Sequence, residues 1–102
     1  MALFKKRHFG KPISGQLSAY LIGHTSCLDR SKASVKTEVS TSTIRDVIYR
    51  RNPVTENNAR AIVELMRIAV HNCIHSIEEA TAAKKHLEIL LSEERLTKAQ
   101  SF

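Results

Sequence analysis

The sequence predicts an all-α protein: a compact helix-turn-helix domain of about four to five helices, closed by a long amphipathic C-terminal helix or helix pair. Three observations predict it. Apolar residues recur at helical spacing along most of the 102 residues. Three glycines and 5% aromatics are too few for the turns and strands of a β-sandwich or barrel. No Gly or Pro follows Pro53, so little in the second half breaks a helix.

The length corresponds to one domain with appendages. Residues 1–12 are expected to form a mobile basic arm, because Gly10 and Pro12 interrupt regular structure. Residues 13–70 form the helix-turn-helix domain, and residues 71–102 a helical extension. In the domain, Ile13, Leu17, Tyr20 and Leu21 make one stripe of a helix that Gly23 would stop. Residues 24–29 are a connection, followed by a short helix over Arg30–Thr37 with Ala33 and Thr37 facing inward. Ser40 has the side chain of an N-cap for a helix from Thr41 to Arg50. That helix turns Ile44, Val47 and Ile48 to one side and leaves Thr41, Ser42, Arg45 and Tyr49 open. Asn52-Pro53 breaks the run, and Thr55 starts a new helix with Glu56 at its positive end. From Ala59 to Leu91 the pattern is strongly helical. A helix over 56–92 would be about 55 Å long, so it is expected to bend or break near His71–Ser76 or Thr81, where helix propensity is lowest. Residues 97–102 should fray.

Charge is distributed unevenly. Residues 1–51 carry ten Lys/Arg against three acids, a net of +7, and residues 52–102 carry six against seven, a net of −1. A basic half beside a near-neutral half fits a polyanion-binding face with a separate structural or assembly part.

The stretch Ala33 to Ile62 carries the functional reading. Two short helices meeting at a steep angle need a small residue where they approach, an apolar plug in the turn and an apolar inner face on the second helix. Ser34, Val39, and Ile44 with Val47 meet these needs. The second helix then opens with short polar residues that suit the edge of a major groove. The stretch resembles the helix-turn-helix of lac-repressor-type and phage-repressor-type (Cro-like) regulators. It has the valine-serine pair that opens the recognition helix, Val39-Ser40, followed by Thr43-Ile44. Downstream it has the polar loop Arg50-Arg51-Asn52-Pro53, the pair Val54-Thr55, and a packing helix with Ala59, Ile62 and Met66. The match covers about Ala33–Met66. Glu38 stands where these families usually have glycine, and Ala33 where they have a larger apolar residue. No sugar-binding domain lies in these residues, so the resemblance implies a DNA-binding module rather than a sugar-responsive repressor.

The expected function is therefore a small transcriptional regulator bound to double-stranded DNA. Thr41, Ser42, Arg45 and Asp46 are the base-reading candidates. Arg45 is suited to guanine, and Asp46 to orienting Arg45 or Arg50 or to accepting from cytosine. Lys36, Thr43, Tyr49, Arg50 and Arg51 are phosphate candidates. Lys5, Lys6 and Arg7 of the arm could follow a minor groove or the phosphates. Competing classes are a helical adaptor or antitoxin-like protein-binding module, and a non-specific architectural nucleic-acid binder.

No nucleophile elbow, phosphate loop, glycine fingerprint or apolar carboxylate pair occurs, so the protein is not expected to be an enzyme, to need a cofactor or to hold a small-molecule ligand. His71-x-Cys73-x-His75 has two histidines on one helical face, a spacing that can hold zinc. The reading preferred here is surface histidines beside a core Cys73, with no metal. Two cysteines, no apolar span and no secretory leader point to a reducing cytoplasm and no membrane. Met66, Cys73, Ala80 and Leu87 fall seven apart, as do Val70, Ile77, Lys84 and Leu91, with Lys84 interrupting the second series. A homodimer through the C-terminal helices is expected. Its alternative is a monomer whose last helix closes its own core.

Overall fold

The computed structural model describes residues 4–100, apart from the side chains of Lys6 and residues 96–100, and every regular element among them is helical. A 3-10 turn over Lys6–His8 precedes four helices: α1 (Gly15–His24), α2 (Cys27–Thr37), α3 (Thr41–Ile48) and α4 (Ala59–Gln100).

Each early boundary follows from a side chain that satisfies helix-end amides. Ser14 takes the N-cap of α1, its Oγ accepting from the Leu17 amide at 3.1 Å. Ile13 thus precedes the helix and is buried in the core. Gly23 does not stop α1, which runs to His24; Thr25 is its extended C-cap, and its hydroxyl donates to the Leu21 carbonyl.

The expected connection over residues 24–29 is shorter, Thr25 and Ser26 alone. Ser26 and Asp29 form a capping box: the Asp29 amide donates to Ser26 Oγ at 3.2 Å, and the Ser26 amide to Asp29 Oδ2 at 2.9 Å. α2 therefore begins at Cys27, three residues before the expected Arg30. It ends on Glu38, whose left-handed backbone (φ 61°) lets its N–H donate to the Ser34 carbonyl at 2.8 Å.

Val39 and Ser40 complete the turn. Val39 is buried, and Ser40 caps α3 by accepting from the Thr43 amide at 3.2 Å. α3 ends at Ile48, two residues short of the expected Arg50. Arg50 itself is left-handed (φ 63°), and the Arg51 and Asn52 amides donate back to the Asp46 carbonyl.

Thr55 and Asn58 then cap one another across a turn. The Thr55 amide donates to Asn58 Oδ1 at 2.8 Å and the Asn58 amide to Thr55 Oγ1 at 3.2 Å, so α4 begins at Ala59 rather than 56. α4 shows no break at His71–Ser76 or Thr81. Neither Gly nor Pro interrupts the segment, which is one continuous α-helix, and Thr81 donates its hydroxyl to the Ile77 carbonyl four residues back.

The chain divides into two units, the first ending at Asn72 and the second beginning at Cys73. In the first, α3 packs against α1 and α2. The core gathers Leu21 of α1, Ala33 of α2, Ile44, Val47 and Ile48 of α3, and Ala61, Ile62 and Leu65 of α4. Deep in it, Ser18 Oγ donates to the Ile48 carbonyl at 2.6 Å and ties α1 to the end of α3. The expected mobile arm is instead anchored. Gly10 donates to the Val54 carbonyl and Val54 to the Lys11 carbonyl, and Phe4 and Phe9 pack on the core. Two aromatic side chains bury too much apolar surface for the segment to stay solvated. In the second unit the described side chains from Ile74 to Arg95 are exposed. No described helix is long and apolar enough to cross a membrane.

Candidate nucleic-acid interface

α3 has two faces because its period places three β-branched residues together. Ile44, Val47 and Ile48 are fully buried, and this anchors the helix. Thr41, Ser42, Arg45 and Tyr49 lie on the other face and are exposed, with Asp46 half-buried beside them.

At the head of α3 the hydroxyls form a small network. Ser40 Oγ donates to Thr43 Oγ1 at 2.7 Å and lies 3.3 Å from Ser42 Oγ. Thr43 is half-buried and engaged with the cap, whereas Thr41 and Ser42 stand at the exposed first turn. At the other end Asp46 gathers cations. Its Oδ1 lies 3.7 Å from Arg45 Nε and 3.9 Å from Arg51 Nη1. Arg51 also sits over the Tyr49 ring, 5.6 Å from its centroid. Asp46 thus pairs with Arg45 and Arg51 and not with Arg50. The Arg50 Nε instead donates to the Ile13 carbonyl at 2.8 Å, bracing the loop after α3 against the start of α1.

Lys36 also has a partner within the chain. Its Nζ lies 3.1 Å from Glu64 Oε1, and Arg67 approaches the other oxygen at 3.3 Å. Glu64 is buried, so two cations compensate a desolvated carboxylate. Lys5 and Arg7 are exposed, but among the described residues no hydrogen bond or ion pair joins them to α3. The Lys6 side chain lies outside the described residues.

One cation escapes sequence reasoning. Arg60 of α4 is exposed and donates from Nε to the Thr37 carbonyl at 2.9 Å, capping the C-terminal end of α2 beside the Glu38 turn. Arg60 lies inside the matched stretch, but its partner Thr37 is 23 residues earlier, so no local signal marks the contact.

A second polar cluster lies between α2 and α4. Asn72 Nδ2 donates to the His24 carbonyl at 2.9 Å and to Asp29 Oδ2 at 3.1 Å. Burial pushes the Asp29 carboxyl up. Hydrogen bonds from the Ser26 amide, Asn72 and the Ser26 hydroxyl, with the Lys32 charge, outweigh it and hold the group below its ordinary value. Among the described residues no group of three His, Cys, Asp or Glu side chains is assembled to hold a metal; His75 pairs with Glu79 at 3.0 Å.

Comparison with models of known protein families, with curated proteins and with solved structures gives no match. The chemistry of the residues themselves therefore carries the functional argument.

Proposed function

We propose that the protein is a small DNA-binding transcriptional regulator that reads the major groove with α3. One observation carries the reading: a short helix is fixed by a buried face of Ile44, Val47 and Ile48 and offers a polar first turn, Thr41 and Ser42, followed by Arg45, to the outside. A helix of this size fits the major groove, where hydroxyls and a guanidinium find base-edge acceptors. Asp46, 3.7 Å from Arg45 Nε, favours one direction for a guanidinium that stays exposed and able to donate to guanine. Arg51, stacked on Tyr49, and Arg60, at the end of α2, are suited to phosphate. The excess of cations in residues 1–51 and the helix-turn-helix resemblance support the same reading.

The test compares Arg45→Ala with the parent chain on a duplex selected from a random pool and on unselected duplex. The variant should lose roughly 5- to 150-fold on the selected duplex, the equivalent of about 1–3 kcal/mol, and much less on the other. Equal losses on both would mean that Arg45 contributes only charge, and would favour an architectural binder without sequence preference.

A further inference from the structure

We propose that residues 73–95 of α4 pair in parallel with the same segment of a second copy of the chain. The face concerned is exposed and apolar. Ile77, Leu87, Leu90 and Leu91 are 65, 58, 46 and 57% exposed. With Ala80 and Ala83, which are also exposed, they leave on the order of 500 Å² of apolar seam on each copy, in the upper part of the range that a monomer's largest patch spans. Two such seams face to face bury on the order of 1,000 Å², the lower bound for a specific interface.

The residues fall into a heptad. Cys73, Ala80 and Leu87 take one core position, and Ser76, Ala83 and Leu90 the other. Ile77, Lys84 and Leu91 flank the seam on one side, and Glu79 and His86 on the other. The small residues of the first two heptads allow close approach, and the three leucines fill the third. Lys84, which interrupts the apolar series, is in this arrangement a pairing residue. In a parallel pair Glu79 of one copy faces Lys84 of the next heptad in the other, twice by symmetry. An antiparallel pair centred on the same seam would set Lys84 against Lys84 and Glu79 against Glu93. Charge therefore favours a second copy in the parallel direction, by the modest margin that exposed pairs supply.

Within one chain Glu79 meets His75 and Lys84 meets Glu88, in pairs whose side chains are 58–76% exposed. Exposed pairs of this kind are weak, so both charges are available for the interface. The pairing does not depend on what α3 binds.

The full-length chain supplies its own reporter. A parallel seam brings the two Cys73 residues together at a core position, within the reach of a disulfide. In an antiparallel seam they lie at opposite ends. The test uses Cys27→Ser, which removes the exposed thiol of α2, with light scattering and mild thiol oxidation. The expected mass is twice the 11.5 kDa of the chain, with oxidation linking the two copies through Cys73. Glu79→Lys or Lys84→Glu alone should each weaken the dimer by about two- to thirtyfold, and the double exchange should restore it. A monomer under these conditions, a dimer that oxidation does not link, or single and double variants that associate equally would each overturn the proposal. A monomer that associates only with a different protein would do the same.

Discussion

At the scale of single residues, the α2–α3 turn shows how a departure from the usual chemistry is accommodated. Glu38 adopts the left-handed conformation that glycine takes most easily, at about 1 kcal/mol of backbone cost. The Ser34 carbonyl that it satisfies and the burial of Val39 just after it hold it there. The role of Ser40 was legible in the sequence, because a serine before a short amphipathic run has one obvious task. The partners of Lys36 and Arg50 were not legible: Glu64 and Ile13 are 28 and 37 residues away, and charge alone does not distinguish a phosphate contact from an internal one. Asp29 carries a pH prediction. Its folded-state value lies below the ordinary 3.8, so its contribution to stability is present above that value and is lost as pH falls through the folded one. Asp29→Asn should lower stability at neutral pH and flatten the loss of stability on acidification below about pH 4. Unfolding curves at several pH values check this, and parallel curves for variant and parent would contradict it.

At the scale of elements, helix existence was easier to read than helix ends. The periodicity of Ile44, Val47 and Ile48 located α3 and its inner face. α2 begins three residues before Arg30: Ser26-x-x-Asp29 spells a capping box, but Leu28 and Val35 are exposed and mark no inner face from which its start can be read. The long α4 was expected to break on grounds of size and low propensity. Propensity is a weak force beside an uninterrupted ladder of hydrogen bonds, and no residue after Pro53 removes one. The cations, Gly10 and Pro12 of the N-terminal segment suggest a solvated arm, whereas Phe4 and Phe9 pack on the core and fix it there. The cap of α3 gives the second prediction. Ser40→Ala removes the acceptor for the Thr43 amide and should cost about 1 kcal/mol of stability. It should also weaken DNA binding, because the first turn that bears Thr41 and Ser42 frays. Denaturant unfolding and titration with duplex, run on the same samples, test both effects; an unchanged midpoint would mean that the cap is idle.

At the scale of the molecule, net charge and its distribution connect structure to function. On the proposed reading a net charge of +6 contributes to the affinity for duplex, and this contribution is lost as salt rises. Log affinity for duplex should fall linearly with log salt, and Arg51→Ala should reduce that slope by about one. Salt dependence alone does not separate a reader of sequence from a general binder, because phosphate contacts position without specifying. The direct measurement is selection of bound duplexes from a random pool by the full-length chain. If the first turn of α3 touches bases, successive rounds converge on a short common sequence, and the chain with Thr41, Ser42 and Arg45 replaced by alanine no longer enriches it. A pool that stays as random as it began, or the same enrichment by both chains, would contradict the account.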